Sequence, residues 1–177
     1  MYLPAEDTFL LIRGLDSYNN LGKVLEIGFG SGKVAELINE KSEFYVGCDI
    51  SFSVLKEFKI KNVLNLKIDL VCCDAASCFR DLSFDTIIFN PPYLPSESIE
   101  DITIDGGYEG CEITMKFLKN SFRLLKVNGL IFFVTSTLSN LSKILDLIEE
   151  NNFSYEEILR EKFLFEHILL YKCKKLA

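Results

Sequence analysis

The residues with the clearest chemical potential are the four from Asn90 to Tyr93, Asn-Pro-Pro-Tyr, which follow the apolar segment 84–89. Proline has no backbone N–H and a fixed backbone dihedral, so Pro91 and Pro92 predict a stiff extended loop where a buried strand ends. An amide oxygen, a proline carbonyl and a tyrosine ring held together can bind a planar NH2-bearing group, with two acceptors for its hydrogens and a ring to stack on. The loop therefore predicts a site for an amide or an amino-substituted base. The same residues also fit a plain strand ending with a packed tyrosine.

A glycine-rich loop upstream predicts a second binding element. Residues 24–32 read Val-Leu-Glu-Ile-Gly-Phe-Gly-Ser-Gly, which indicates a strand carrying Glu26 and then a G-x-G-x-G turn before a helix. The glycines Gly28, Gly30 and Gly32 let the backbone approach a ligand beside the positive end of that helix. The pattern departs from the dinucleotide fingerprint, and the Glu26 carboxylate would repel a diphosphate. The loop therefore favours an amino group or a ribose.

Acidic residues also follow the next two predicted strands. Asp49 comes 23 positions after Glu26, where a carboxylate can accept hydrogen bonds from both ribose hydroxyls, and Asp74 can accept one from an adenine amino group. Each acid taken alone fits a helix cap equally well. Because the carboxyl ends of parallel strands meet in one crevice, these acids and Asn90 together predict a single nucleoside site.

Apolar segments with the period of strands alternate with segments of helical period. Strands are predicted over residues 23–27, 44–48, 68–72, 86–89 and 130–134, and helices over residues 8–15, 33–40, 53–59, 113–125 and 141–149. Several of these helices follow a Ser, Asp or Thr that can cap them. Residues 153–161 and 163–171 predict two further strands joined by a tight turn. The alternation predicts an α/β fold, with a mostly parallel sheet, helices on both faces and an antiparallel pair at one edge.

Composition limits the classes of protein that fit. With 177 residues and 49% hydrophobic content, the chain is expected to form one domain over residues 1–177. Its 26 acidic residues outnumber 19 basic ones, and the net charge of −7 disfavours direct binding to nucleic acid. No apolar segment approaches the length of a membrane span, and the N-terminus does not resemble a secretory signal. A cytoplasmic protein without a membrane contact is therefore expected.

The cysteines and the histidine do not form a recognisable metal motif. The six cysteines are scattered without a C-x-x-C pair, and one histidine is present. We therefore expect no metal site and reduced thiols, several of them buried. His167 falls in a strand-like segment and is interpreted as a strand residue rather than a catalyst.

The glycine loop and the acids resemble those of class I S-adenosylmethionine-dependent methyltransferases. The resemblance implies a Rossmann-like fold with a seven-stranded sheet and an antiparallel C-terminal hairpin. It also implies S-adenosylmethionine as the cofactor and S-adenosylhomocysteine as its product. By the same resemblance Asp49 binds the ribose and Asp74 the adenine, and Ile50, Ala75 and Asn90 belong to the cofactor site.

The Asn90 to Tyr93 loop resembles the motif of amino-methyltransferases that act on the planar nitrogen of adenine, guanine or glutamine. The resemblance implies that the Asn90 side-chain oxygen and the Pro91 carbonyl accept the two N–H bonds. Tyr93 then packs on the substrate plane, and Pro92 completes the catalytic loop. Positioning of the nitrogen carries the catalysis, and no general base is needed before transfer.

Two further segments resemble the archaeal and eukaryotic branch of the HemK family, the release-factor glutamine methyltransferases. They are residues 2–11, Tyr-Leu-Pro-Ala-Glu-Asp-Thr-Phe-Leu-Leu, and residues 105–110, Asp-Gly-Gly-Tyr-Glu-Gly. The resemblance covers nearly the whole chain and implies methylation of the glutamine in the Gly-Gly-Gln motif of a class I translation termination factor. It implies no separate substrate-recognition domain and a contact of Thr8 with the methionine end of the cofactor. Residues 4–8 also fit a plain helix start.

The same branch implies a heterodimer with a small zinc-binding activator protein that adds a strand to the sheet edge. The segment from Leu66 to Cys72 is the candidate edge, although a buried strand has the same alternation. Two alternatives remain open from the residues: an N-methyltransferase acting on adenine or guanine in RNA or DNA, and a noncatalytic cofactor-binding subunit. Protein lysine methylation also remains open.

Overall fold

The computed structural model describes residues 4–61, 67–98, 101, 103–163 and 165–176. The helices are α1 (Glu6–Leu15), α2 (Lys33–Ile38), α3 (Phe52–Lys61), α4 (Glu112–Leu124) and α5 (Leu141–Glu150), and a short 3-10 turn follows α2 at Asn39–Lys41. The strands are β1 (Gly22–Ile27), β2 (Ser42–Asp49), β3 (Ile68–Cys72), β4 (Phe84–Phe89), β5 (Leu94–Pro95), β6 (Asp105–Gly107), β7 (Leu125–Ser136), β8 (Phe153–Lys162) and β9 (His167–Lys175).

Seven of these strands form one sheet within the described residues, in the order β3-β2-β1-β4-β7-β9-β8. The first five run parallel, whereas β9 runs antiparallel to both β7 and β8. The predicted mostly parallel sheet with a C-terminal antiparallel pair is therefore confirmed. Strand β3 lies at one edge, and β8 lies at the other.

Helices cover both faces of the sheet. Alternate residues of a strand point to opposite faces, and the core accordingly divides into two clusters. Val24 of β1 packs in the cluster formed with α1, α2 and α3, whereas its neighbour Leu25 packs in the cluster formed with α4 and α5. This two-sided burial explains why the central strands read as continuous apolar segments rather than as alternating ones.

The predicted elements are all present, but two strands begin at other residues and one pair of short strands was not predicted. Strand β7 begins at Leu125 rather than residue 130, because Asn128 adopts a left-handed conformation at a register shift instead of ending the strand. Strand β9 begins at His167 rather than residue 163, since the amide of Phe163 donates to the carbonyl of Glu166 and closes a turn. The short pair β5 and β6 was not predicted, and residues 66 and 164 of the predicted strands lie outside the described residues.

The expected side-chain caps are wrong for three helices. The N-cap positions of α1, α2 and α4 are Ala5, Gly32 and Cys111, and none of them makes a side-chain capping bond. Helix α5 has a side-chain cap of a residue type that was not predicted, because the Asn140 side chain accepts a hydrogen bond from the amide of Lys143. Among the described residues no helix has both the length and the apolar character needed to cross a membrane.

Candidate active site

A cavity of about 640 Å³ opens at the carboxyl ends of β1, β2, β3 and β4. Each of these strands is followed by a residue that the sequence predicts to bind a ligand, so the parallel topology brings the four strand ends into one crevice. The predicted site residues that line it are Thr8, Glu26, Gly28, Gly30, Asp49, Ile50, Asp74, Ala75, Asn90, Pro91, Pro92 and Tyr93.

Gly32 is the predicted site residue that lies outside the cavity lining. It forms the N-cap of α2 with φ of 74°, a left-handed conformation that favours glycine. A Cβ atom at this position would lie 2.3 Å from the ring of Phe58 and 2.7 Å from the ring of Phe29. The role of Gly32 is therefore to let the loop turn and to leave room for two packed aromatic rings.

Glu26 is a buried acid in the floor of the cavity, with 4% of its surface exposed. The hydroxyl of Tyr45, also buried, donates a hydrogen bond of 2.8 Å to its carboxylate. Burial raises the pKa of Glu26 to about 8, an effect that the Tyr45 hydrogen bond opposes and the nearby Asp49 carboxylate reinforces. A positive charge bound near this carboxyl group would lower its pKa and favour its ionised form.

Asp49 is held by the backbone around it. One carboxylate oxygen accepts a hydrogen bond of 3.0 Å from the amide of Gly30, and the other accepts one of 2.8 Å from the amide of Ser51. Each oxygen keeps a second lone pair, so the carboxylate can still accept hydrogen bonds from a diol. The contact also fixes the glycine loop against the end of β2.

Asp74 faces a cation across the cavity. The Lys116 ammonium group of α4 donates to both carboxylate oxygens, at 2.6 and 2.8 Å. Both side chains are about half exposed, so this ion pair is weak and exchangeable. Next to it Ala75 is buried, with a left-handed φ of 46°.

The Asn-Pro-Pro-Tyr loop presents an unsatisfied acceptor. The side-chain oxygen of Asn90 is buried and makes no hydrogen bond. A buried acceptor without a partner costs free energy of about 1–3 kcal/mol, so a ligand that donated a hydrogen bond to this oxygen would gain that free energy. Pro91 and Pro92 follow with trans peptide bonds and line the cavity with Asn90.

Tyr93 is fixed at both its hydroxyl and its backbone. Its hydroxyl donates a hydrogen bond of 3.1 Å to the carboxylate of Asp7, and its carbonyl accepts one of 2.7 Å from the hydroxyl of Ser139. Asp7 is 3% exposed, and its other oxygen accepts from the amide of Thr8 at 2.6 Å. The start of α1 and the Asn-Pro-Pro-Tyr loop are therefore joined through one buried carboxylate.

The glycine-rich segment 105–110 packs directly against this loop. A Cβ atom at Gly106 would lie 2.8 Å from the Cα atom of Tyr93 and 2.9 Å from the carbonyl oxygen of Pro92. The amide of Leu94 donates to the carbonyl of Ile104 at 3.0 Å, and the amide of Ser96 to that of Gly107 at 2.9 Å. The absence of a side chain at Gly106 thus allows two backbones to meet behind the Asn-Pro-Pro-Tyr loop.

Acidic side chains dominate the cavity lining. Seven acids and two lysines line it among the described residues, and both lysines form ion pairs with carboxylates. A negative cavity attracts a cationic ligand and repels a polyanion. The seven acids are Asp7, Glu26, Asp49, Asp74, Asp101, Asp105 and Glu166.

Several lining residues were missed by the sequence reasoning. Lys116 and Phe117 of α4 enter the cavity, but their helical periodicity indicates only a helix and not which ligand it faces. Glu166 lines the cavity beside the C-terminal hairpin and accepts a hydrogen bond from the hydroxyl of Ser136. His167, by contrast, opens β9 and lies outside the lining, as its strand-like pattern predicts.

Comparisons with known proteins converge on one activity. Residues 25–133 match the family described as "Methyltransferase domain". A protein named as an N5-glutamine methyltransferase from Methanocaldococcus jannaschii is 32% identical over 96% of this chain and 89% of its own length. The eRF1 methyltransferase catalytic subunit mtq2 of Schizosaccharomyces pombe is 27% identical over 92% of this chain and 84% of its own length.

A solved structure shares the whole fold. It is the E. cuniculi Mtq2–Trm112 complex, described as responsible for methylation of the eRF1 translation termination factor. One of its chains superposes with a TM-score of 0.83 at 24% sequence identity, covering 99% of this chain and 98% of that chain. The sheet, the crevice and the helices therefore have the arrangement of a class I methyltransferase.

Proposed function

Because the chain belongs to the HemK family of glutamine methyltransferases, we propose that it methylates the glutamine of the Gly-Gly-Gln motif in a class I translation termination factor. The methyl group moves from S-adenosylmethionine to the side-chain amide nitrogen. The observation that carries this proposal is the buried, unsatisfied oxygen of Asn90, which a primary amide would satisfy.

The residues around the cavity fit S-adenosylmethionine. Asp49 keeps lone pairs for the ribose hydroxyls. Asp74 can accept a hydrogen bond from the adenine amino group once its ion pair with Lys116 has broken. Thr8 and Glu26 lie with the glycine loop, where they suit the polar methionine end. When bound, S-adenosylmethionine supplies an electrophilic methyl group on a sulfonium. The acidic lining favours this cation over the uncharged thioether of the product.

The catalytic loop is expected to act by positioning. An amide nitrogen is a weak nucleophile because its lone pair is delocalised, so orientation toward the methyl group is the main requirement. The Asn90 side-chain oxygen and the Pro91 carbonyl accept the two N–H bonds, and the ring of Tyr93 supports the amide plane. After transfer the nitrogen carries the new C–N bond and an extra positive charge, and loss of one N–H proton to water restores a neutral amide.

The charge of the cavity favours a protein substrate over a nucleic acid. Adenine or guanine in RNA or DNA would bring phosphates toward a lining with seven acids and two paired lysines among the described residues. A glutamine side chain brings no charge. A noncatalytic cofactor-binding subunit would have no use for a buried unsatisfied acceptor in the Asn-Pro-Pro-Tyr loop, so Asn90 also disfavours that alternative.

A small partner subunit at the sheet edge completes the proposal. The similar chain in the solved structure belongs to a complex with Trm112, and β3 is an edge strand of the sheet formed by the described residues. We propose that a small zinc-binding activator adds a strand next to β3, in the segment predicted as Leu66 to Cys72. The enzyme and its termination-factor substrate would then meet in the cytoplasm.

One assay separates the candidate substrates. The protein, alone and with the activator, is incubated with methyl-labelled cofactor and either a termination factor or total RNA and DNA. We expect label in the termination factor at the Gly-Gly-Gln peptide. Label confined to nucleic acid would overturn the glutamine assignment.

Asn90→Ala tests the proposed chemistry. Loss of the oriented acceptor should lower turnover about 100-fold while leaving the cofactor dissociation constant within a few-fold of the parent value. Asn151→Ala is the matched control, because the Asn151 side chain donates a hydrogen bond to the carbonyl of Leu147 and lies outside the cavity lining. Near-normal turnover in Asn90→Ala would refute the role assigned to this side chain.

A further inference from the structure

Asp7 lies between two parts of the cavity that the proposed function assigns to different ligands. Its side chain is in the first turn of α1 and is 3% exposed. One carboxylate oxygen accepts hydrogen bonds from the amide and the hydroxyl of Thr8, at 2.6 and 3.3 Å. The other oxygen accepts one of 3.1 Å from the hydroxyl of Tyr93. All three residues line the cavity, so one carboxylate connects the proposed cofactor side with the proposed substrate side.

The surroundings of Asp7 suit a buried carboxylate. Burial of a charged group without partners is costly, and the hydrogen bonds from Thr8 and Tyr93 offset that cost. The first turn of a helix also carries a partial positive charge, which favours an acid there. Hydrogen bonds to a carboxylate are about twice as strong as those between neutral groups. The contact with Asp7 therefore holds the Tyr93 hydroxyl more firmly than a neutral acceptor would.

The backbone of Tyr93 is held as well. Its carbonyl accepts a hydrogen bond of 2.7 Å from the hydroxyl of Ser139, which is 6% exposed. The hydroxyl of Thr135, which is fully buried, donates in turn to that of Ser139 at 3.4 Å. Since the backbone is fixed in this way, the Tyr93 ring can still rotate about its side-chain bonds, and the contact with Asp7 restricts that rotation. The orientation of the ring therefore depends on Asp7.

We propose that Asp7 is a positioning residue that couples cofactor binding to the placement of the substrate amide. The inference rests on the proposed function, in which Thr8 meets the methionine end of the cofactor and the Tyr93 ring supports the amide plane. A ligand that fixes Thr8 also fixes the carboxylate that Thr8 contacts, and through it the ring that the glutamine must meet. Because such coupling is reciprocal, substrate and cofactor raise the affinity for each other by the same factor.

Calorimetry measures this coupling without any turnover. Binding of the termination factor to the protein with its activator is compared in the absence and in the presence of S-adenosylhomocysteine. In the parent we expect S-adenosylhomocysteine to tighten this binding about tenfold, within the usual range of such couplings. In Asp7→Ala the factor should fall below about twofold, because the link between Thr8 and Tyr93 is lost.

Glu6→Ala is the matched control. Glu6 is the other acid in the first turn of α1, but it is exposed and lies outside the cavity lining, so this variant should keep the coupling of the parent. Tyr93→Phe keeps the ring and removes only the hydroxyl, so it should lose the coupling and keeps the test decisive if Asp7→Ala folds poorly. Undiminished coupling in Tyr93→Phe or in folded Asp7→Ala would overturn the role of Asp7. No binding of the termination factor to the parent would overturn the glutamine assignment itself and this inference with it.

A cycle of single and double variants tests whether Asp7 acts through Tyr93. Loss of a hydrogen bond to a carboxylate should lower kcat about tenfold in Asp7→Ala. Adding Tyr93→Phe to Asp7→Ala should lower kcat no further, whereas independent effects would multiply and would overturn the proposal. Asp7→Asn should recover most of the lost turnover, because its oxygen can accept from the Thr8 amide while its NH2 group donates to the Tyr93 hydroxyl. A kcat equal to that of the parent in Asp7→Ala would also overturn the proposal.

Discussion

Glu26 combines two requirements that oppose each other. Its position at the end of β1 places a carboxyl group in the crevice, yet the same position buries it among apolar side chains of the sheet. Because burial raises its pKa to about 8, the side chain is largely protonated at neutral pH in the described structure. A neutral acid costs little to bury, and a bound cation would favour its ionised form.

This perturbation predicts a pH-dependent stability. An unfolded glutamic acid ionises near 4.5, whereas the folded Glu26 retains its proton to about 8, so the native state binds more protons between these values. The contribution of Glu26 to the free energy of unfolding is therefore full below pH 4.5 and is lost as pH rises toward 8, by ~5 kcal/mol at most. Urea unfolding at intervals of pH measures this slope.

Glu26→Gln is the matched variant for that measurement. Glutamine keeps an oxygen that can accept the hydrogen bond from Tyr45 but has no proton to lose. We expect a flatter dependence of unfolding free energy on pH in the variant. An identical slope in both proteins would show that other groups carry the dependence.

Lys116 gives a second prediction about a single residue of the cavity. Replacing it with methionine frees the Asp74 carboxylate and removes a positive charge from the cavity, so affinity for the cationic cofactor should rise. An exposed ion pair is worth ~1 kcal/mol or less, which limits the gain to about fivefold and leaves the unfolding free energy nearly unchanged. Equilibrium binding of S-adenosylmethionine checks this, with Lys119→Met, exposed on the same helix but outside the cavity lining, as the control. Weaker binding in Lys116→Met would mean that the ammonium itself contacts the ligand.

At the scale of elements, the sequence predicts what depends on local periodicity. The five parallel strands and the helices between them were predicted within a few residues, because buried segments of a doubly wound sheet are continuously apolar. Asn-Gly is a common turn sequence, and nothing local indicates that Asn128 and Gly129 form an irregularity within β7. Strands β5 and β6 contain two and three residues, which is too short for an alternation of apolar and polar residues to be recognised.

In the candidate site, too, some residues could be predicted from the sequence and others could not. Asp49, Asp74 and Asn90 could be predicted because each lies at or just after the end of a strand, and topology then brings them together. The place of Lys116 in the cavity lining could not be predicted, since it depends on how α4 packs across the crevice rather than on the local sequence of the helix. The contact of Tyr93 with Asp7 joins residues 86 positions apart and has no local signature.

The segment 105–110 packs against the Asn-Pro-Pro-Tyr loop at Gly106, which gives a prediction for this pair of segments. Gly106→Ala places a methyl group against the backbone of Pro92 and Tyr93 at less than 3 Å, so the loop must shift. A displacement of about 1 Å in a positioning site costs on the order of 100-fold in turnover, and cofactor affinity should remain. Steady-state kinetics and calorimetry measure the two effects. Tyr108→Ala, at a side chain 77% exposed in the same segment, is the control, and normal turnover in Gly106→Ala would exclude this supporting role.

At the scale of the molecule, the two sheet edges differ in chemistry. Strand β8 carries mostly charged residues on exposed positions, which protect an edge from pairing. Strand β3 is short and carries the half-buried apolar residues Ile68, Leu70 and Val71, which pack against the cores of opposite faces. An edge of this kind is suited to receive another strand.

Amide hydrogen exchange with and without the proposed activator tests that difference. A strand added beside β3 would satisfy its outward N–H groups, so residues 68–72 should exchange several-fold more slowly in the complex. The charged edge β8 serves as the internal control and should not change, because it lies at the opposite end of the seven-stranded order. Leu70→Lys should weaken the complex while the isolated protein keeps its cofactor affinity, since Leu70 lies outside the cavity lining. Slower amide exchange in β8 instead of β3 would mean that the partner binds at the β8–β9 hairpin, and it would overturn the proposal that the partner binds at β3.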